Sequence, residues 1–158
     1  MNRKNKDNGI KPMKLRHLLA LLLFFPVMAN AVETSDLLKR NGLSYVKFTD
    51  VPFTGKTSGR KQITYKDGEK HGPYEVYYKN GQLEVKTTLK DGKEHGPYEV
   101  YHKNGQLKQK LTHKDGKPDG PFEMYHENGQ LKMKGTVKAG KLVNETCFTE
   151  TGKAKPCG

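Results

Sequence analysis

His71-Gly72-Pro73-Tyr74-Glu75-Val76-Tyr77-Tyr78-Lys79-Asn80-Gly81-Gln82-Leu83 returns as His95 to Leu107 and again as Asp119 to Leu131. Gly72, Gly96 and Gly120 are 24 residues apart, and so are Gly68, Gly92, Gly116 and Gly140. A fixed period of this length means stacked supersecondary units rather than one irregular core. Each unit carries two turn signals, one at Asn80-Gly81, Asn104-Gly105 and Asn128-Gly129, the other at Asp67-Gly68, Asp91-Gly92 and Asp115-Gly116. The Asn-Gly pairs predict two-residue type I′ turns, in which both positions have φ > 0. The unit therefore reads strand, turn, strand, turn. The expected fold is all-β, an antiparallel meander of hairpin repeats stacked as a solenoid.

The turn position fixes a register. With Asn80-Gly81 as the loop, Tyr78 faces Leu83, Tyr77 faces Glu84, Val76 faces Val85 and Glu75 faces Lys86. The next unit pairs His102 with Leu107, Tyr101 with Lys108, Val100 with Gln109 and Glu99 with Lys110. The third pairs His126 with Leu131, Tyr125 with Lys132, Met124 with Met133 and Glu123 with Lys134. Each unit sets a Glu opposite a Lys, a pairing worth ~0.2–1 kcal/mol across strands. Alternation predicts an apolar face holding Tyr74, Val76, Leu83, Val85 and Leu89 with their counterparts in the later units. The other face carries Glu75, Tyr77, Glu84 and Lys86 with theirs. Strict alternation cannot put Val76 and Leu83 on one side, so a bulge or a shifted turn is expected. Phe48, Val51 and Phe53 are candidates to cover the apolar face, and Asn41-Gly42 offers a further hairpin before the repeats. Val51 to Lys66 reads as an atypical first unit, as terminal repeats often are.

The ends are different in kind. Arg3, Lys4, Lys6, Lys11, Lys14 and Arg16 make a basic leader to the apolar run Leu18 to Val27, and Ala29-Asn30-Ala31 follows. That is the order of a secretory signal, with cleavage expected between Ala31 and Val32. The apolar run is too short to span a bilayer, which takes ~20 residues, so an uncleaved anchor is the weaker alternative. The start is Met1 or Met13, since Met13-Lys14-Leu15-Arg16 is already a positively charged opening. The expected organisation is a signal over 1–31, a cap with an atypical first unit over 32–63, hairpin repeats over 64–143 and a tail over 144–158.

The chain has 29 basic and 17 acidic residues. Removing the leader's six basic residues and Asp7 leaves 23 and 16, a net of +7 spread evenly. Hydrophobic residues are 33% and Trp is absent, which suits a thin sheet better than a thick core. Cys147 and Cys157 are the only cysteines. In an oxidising compartment a pair this close reads as a disulfide, and alone it cannot complete a structural zinc site.

The units Gly72 to Tyr77, Gly96 to Tyr101 and Gly120 to Tyr125, each followed by Asn-Gly-Gln-Leu, resemble bacterial MORN-repeat variants. The lead-in Asn41-Gly42-Leu43 with Val51 to Lys56 resembles the front of proteins labelled YwqK-type antitoxins. The resemblance runs from about Leu37 to Lys141. It implies a β-hairpin array for protein or membrane contacts, without cofactor, and the antitoxin label implies a toxin partner. The leader departs from a cytoplasmic antitoxin, and the 24-residue period and the Gly-Pro in each unit depart from the usual MORN spacing, so lipid binding transfers poorly.

Catalytic signatures are missing from the sequence. Ser35, Ser44 and Ser58 sit in no nucleophile elbow, and the glycines fall in turn pairs rather than a phosphate-cradling loop. Glu75, Glu99 and Glu123 read as structural partners of Lys. His71 and His95 share one repeat position and His102 and His126 another. Equivalent positions lie two strands apart, about 9–10 Å, too far to share one metal, so solvated or rim histidines are expected. Asn144-Glu145-Thr146 fits a glycosylation acceptor in a eukaryotic secretory route.

The best candidate surface is the ladder Tyr77, Tyr101 and Tyr125, flanked by Lys86, Lys108, Lys110, Lys132 and Lys134. Tyr with basic residues suits protein contacts, glycans or anionic head groups. The structural alternative is that the rings cover the sheet and pack on Lys stems. Nucleic acid is disfavoured by the leader and the interleaved Glu. The chain thus reads as an exported, non-enzymatic protein-interaction module, periplasmic or secreted. An antitoxin or immunity role and an envelope-surface binder of anionic lipid or glycan are the alternatives. N-terminal sequencing of the protein recovered from its native cells should begin at Val32; a chain still carrying Leu18 to Val27 would contradict the secretory reading.

Overall fold

The computed structural model describes residues 31–158; the leader, apart from Ala31, lies outside the described residues. A 3-10 turn (Thr34–Asp36) leads into a two-stranded cap, β1 (Leu37–Arg40) and β2 (Leu43–Val46). An eleven-stranded antiparallel sheet follows. Its strands are β3 (Gly55–Lys56), β4 (Lys61–Lys66), β5 (Glu69–Tyr77), β6 (Leu83–Lys90), β7 (Lys93–Glu94) and β8 (Gly96–Tyr101). They continue as β9 (Leu107–Lys114), β10 (Lys117–Tyr125), β11 (Leu131–Lys138), β12 (Lys141–Phe148) and β13 (Ala154–Lys155). Neighbours in sequence are neighbours in the sheet, with β7 and β8 both on β6. The meander is as the sequence pattern requires.

The two kinds of turn differ in geometry. Asp67, Asp91 and Asp115 have φ near 50°, and each is followed by a Gly at positive φ, as are Asn41 and Ala139. These are the primed two-residue turns. Asn80, Asn104 and Asn128 stay out of the left-handed region, while Gly81, Gly105 and Gly129 occupy it. Gly81 N–H donates to the Tyr78 carbonyl at 3.1 Å and Tyr78 N–H to the Gln82 carbonyl at 2.8 Å. That is a three-residue loop, a type I turn closed by a left-handed Gly. The type I′ expectation for Asn-Gly is corrected. The Asn side chain decides it: Asn80 Oδ1 accepts from Gln82 N–H at 3.1 Å, and Asn104 and Asn128 repeat the bond.

The longer loop moves the register by one next to the turn, and a bulge restores it. Tyr77 pairs with Leu83, Tyr101 with Leu107 and Tyr125 with Leu131. Glu84, Lys108 and Lys132 are left unpaired at the bulge, so their expected pairing with the three Tyr does not occur. Beyond it, Val76–Val85, Glu75–Lys86, Glu99–Lys110 and Glu123–Lys134 pair as derived from the sequence. Leu83, Leu107 and Leu131 consequently lie on the Tyr face, not on the apolar face where alternation placed them.

A second irregularity explains Gly-Pro. Across β4 and β5 the register jumps from Ile63–Tyr74 to Tyr65–Lys70, and across β9 and β10 from Leu111–Phe122 to His113–Pro118. His71-Gly72-Pro73 stand against Thr64 alone and Asp119-Gly120-Pro121 against Thr112 alone, two excess residues each, with Gly at φ 97° and 113°. On the opposite side of the same strands Gly72–Leu89 and Gly120–Val137 pair regularly. This second bulge therefore opens only towards the preceding unit, which bends the strand and increases its twist.

The core is a narrow strip. Tyr65, Leu89, His113 and Val137, one repeat apart, are all buried, beside Ile63, Thr87 and Leu111. His113 breaks this apolar column: Nε2 lies 3.2 Å from Glu94 Oε2 and Nδ1 is buried without a partner. At the N-terminal end Leu37, Phe53 and Tyr74 pack on Ile63, Tyr65 and Leu89, with the Phe53 and Tyr65 rings 5.6 Å apart. Of the expected cover residues only Phe53 serves; Phe48 and Val51 are exposed at 102% and 73%. Val32 is tied in by Ser58 N–H donating to its carbonyl at 2.8 Å.

The sequence pattern decays after Gly140 but the backbone pattern does not. Thr149 N–H donates to the Lys153 carbonyl and Gly152 N–H to the Thr149 carbonyl, the bonds of the Asn-Gly loops. Residues 149–153 are a fourth such loop, and the Cys147–Cys157 disulfide, Cα–Cα 5.3 Å, closes it. With Cys147 buried, the disulfide expected from sequence staples the last edge of the stack.

Gly96 has φ 85°, and a Cβ there would meet nothing within 4 Å. Gly96→Ala should therefore cost only the left-handed strain, ~1–2 kcal/mol, read as a lower thermal midpoint with the fold retained.

Candidate functional site

The expected Tyr ladder is present, and its chemistry is set by Glu rather than Lys. Residues at i and i+2 of a strand share a face, so Tyr77 stands beside Glu75. Tyr77 Oη donates to Glu75 Oε2 at 3.3 Å, Tyr101 to Glu99 at 2.8 Å and Tyr125 to Glu123 at 2.7 Å. All three rings are half-buried. Facing pairs then run across the sheet as Gln62, Glu75, Lys86, Glu99, Lys110, Glu123, Lys134 and Thr146. From Glu75 to Lys134 the signs alternate without a break, and three carboxylates balance three ammonium groups. Of the expected flanking lysines, Lys86, Lys110 and Lys134 belong to this row, whereas Lys108 and Lys132 sit at the bulges and face no Tyr.

Electrostatics follow from this geometry. The Tyr101 and Tyr125 hydroxyls are pushed up to about 12, first by burial and then by the bond each donates to its Glu. Tyr77 also rises, by burial and then the neighbouring Glu75 charge, but Lys56 opposes it. Lys56 Nζ reaches Glu75 at 2.8 Å, and this bond holds the Glu75 carboxyl below its ordinary range. That competition accounts for the longer Tyr77 bond. Lys110 approaches Glu99 at 3.8 Å.

The edge of this face is stitched between units. Tyr78 Oη donates to the Tyr101 carbonyl at 2.8 Å; His102 and His126 Nε2 lie 3.1 Å and 3.3 Å from the carbonyls of Tyr125 and Phe148. Asn80, Asn104 and Asn128 Nδ2 donate to Lys103, Glu127 and Glu150 carbonyls. His102 and His126 are thus half-buried ties at the edge of this face rather than solvated side chains. His71 is half-buried and His95 exposed, and they lie 3.5 and 3.7 Å from Asp91 and Asp115. Among the described residues no group of three or more His, Cys, Asp or Glu is placed to hold a metal. His113 gave no sequence signal beyond standing where Leu89 and Val137 stand one repeat away, a substitution visible only once the column is known to be buried.

Three segments, residues 70–91, 94–115 and 118–139, match the family model described as a MORN repeat variant. Each runs from one Asp-Gly or Ala-Gly turn to the next, so the matched unit is the hairpin around an Asn-Gly loop. Repeats of this kind are generally modules that bind proteins or membranes. No curated protein matches the chain.

Because a phenol whose pKa is raised on folding binds its proton more tightly in the folded state, these Tyr add stability that is intact below about pH 10. It is lost as pH rises towards about 12. Tyrosinate absorbance should show Tyr101 and Tyr125 ionising last, and Glu99→Gln with Glu123→Gln should bring both down. A titration unchanged by the two substitutions would contradict the Tyr–Glu geometry.

Proposed function

We propose that the chain is an exported, non-enzymatic interaction module that binds another protein through the Tyr–Glu–Lys face. The observation that carries this reading is the row itself: half-buried Tyr rings, held by hydrogen bonds, beside charges of alternating sign at fixed strand spacing. Rigid aromatics lose little entropy on binding and are enriched where interfaces concentrate their energy. Alternating charges select a partner with the complementary order rather than one of a single sign. The interleaved Glu75, Glu99 and Glu123 weigh against a uniformly anionic surface as the target. Export is supported by the basic and apolar leader in sequence and by the Cys147–Cys157 disulfide, a bond that persists in oxidising compartments.

The affinity-tagged protein, recovered with its bound proteins from the envelope and exported fractions of its native cells, should hold one partner in stoichiometric amount. Tyr101→Ala with Tyr125→Ala should release that partner while the disulfide and the β circular-dichroism signal persist. Retention of only lipid or glycan, or equal retention by the double variant, would overturn the reading.

A further inference from the structure

The N-terminal cap displays a side chain that the fold does not need. Phe48 has φ 66° and is fully exposed. It occupies the second central position of a turn in which Thr49 N–H donates to the Val46 carbonyl at 3.1 Å. Turns that require φ > 0 there take Gly or Asn, and for a bulky residue this conformation is strained. The ring gains no burial in return. Neither the sheet nor its core explains why Phe stands at this position.

The turn is also braced. Lys47 N–H donates to the Asp36 carbonyl at 2.9 Å and Thr49 Oγ1 to the Val46 carbonyl at 2.9 Å. Arg40 lies 4.3 Å over the Tyr45 ring, pairs with Asp50 at 2.9 Å and donates to the Thr49 carbonyl. A strained aromatic on a braced turn is a preorganised knob, because its ordering cost is met before any contact forms.

A groove for such a knob lies on the same surface. It is lined by Val46, Thr49, Val51, Pro52, Phe53 and Asp67, with a volume of about 510 Å³, ample for a phenyl ring. Its lining is mostly apolar, with Asp67 as its one charged residue, while Lys47 flanks the knob. Knob and groove are adjacent and of opposite charge, Lys47 beside the one and Asp67, from the turn between β4 and β5, in the other; the rest of the groove comes from the segment that carries the knob. A patch with both halves of a contact satisfies the requirement of a two-fold interface, in which residue i meets j and j meets i.

We propose that this surface pairs with itself: a second copy of the chain seats its Phe48 in the groove beside Val51 and Phe53 and receives Phe48 in its own, with Lys47 of each copy towards Asp67 of the other. The dimer uses none of the residues of the Tyr–Glu–Lys row, so the proposal stands independently of the partner reading above.

The test is sedimentation of the purified protein over rising concentration, with thermal melts at the lowest concentration. The wild type should pass reversibly from monomer to dimer. Phe48→Gly should weaken the dimer by about tenfold or more, as loss of a central aromatic anchor does. It should also melt higher than wild type as a monomer, since Gly relieves the left-handed strain. Asp67→Asn, which tolerates φ > 0 and removes only the charge, should weaken the dimer less and reduce its salt dependence. A wild type that stays monomeric to its solubility limit, or a Phe48→Gly variant that dimerises as well as wild type, would overturn the proposal.

Discussion

Gly92 N–H donates to the Lys70 carbonyl at 2.9 Å and Gly116 N–H to the Glu94 carbonyl at 2.8 Å. In an isolated hairpin these tip amides would face water. Here each is taken up by the preceding unit, while at the other end of the strands the Asn side chains reach the following one. A single hairpin is marginal in water, and the buried strip in this sheet is too narrow to hold many apart. Fastening both sets of turns to their neighbours makes the repeat interface the unit of stability, as expected when stability is a sum of nearest-neighbour terms. It also fixes the spacing at which Tyr77, Tyr101 and Tyr125 recur.

The ends of the stack lack a neighbour, and each is closed differently. At the start Gly68 N–H reaches the Phe53 carbonyl and Ser44 N–H the Gly68 carbonyl, so the cap supplies what a preceding repeat would. At the finish Phe148 and Glu150 accept the bonds from His126 and Asn128, and the disulfide holds that acceptor strand in place. The Tyr face between them presents hydroxyls and charges whose partners lie within the sheet. On the proposed reading, such a face selects its partner by geometric fit more than by net charge.

Much of this was legible in the residues. The period, the meander and the Glu–Lys pairs follow from spacing and turn chemistry, and the disulfide from two close cysteines behind a secretory leader. What was not legible depended on side chains bonding across repeats. Asn80 serves Gln82 and Lys103 at once, which selects the longer loop, and that loop moves Leu83 across the sheet. Tyr78, His102 and His126 look unrelated as a set until the carbonyl they share appears one repeat on. The tail lacks the Gly-Pro and Asn-Gly marks yet forms a fourth loop, because Gly152 and the disulfide suffice. Phe48 reads as core from hydropathy, and only its backbone conformation removes it.

Residue-resolved amide exchange of the native protein tests the stacking most directly. Gly92 and Gly116 should be protected although they sit at hairpin tips, and Gly140, at the equivalent tip without a cross-repeat bond among the described residues, should exchange quickly. If Gly92 and Gly116 exchange as fast as Gly140, the turns are not fastened across repeats and the account of the fold fails.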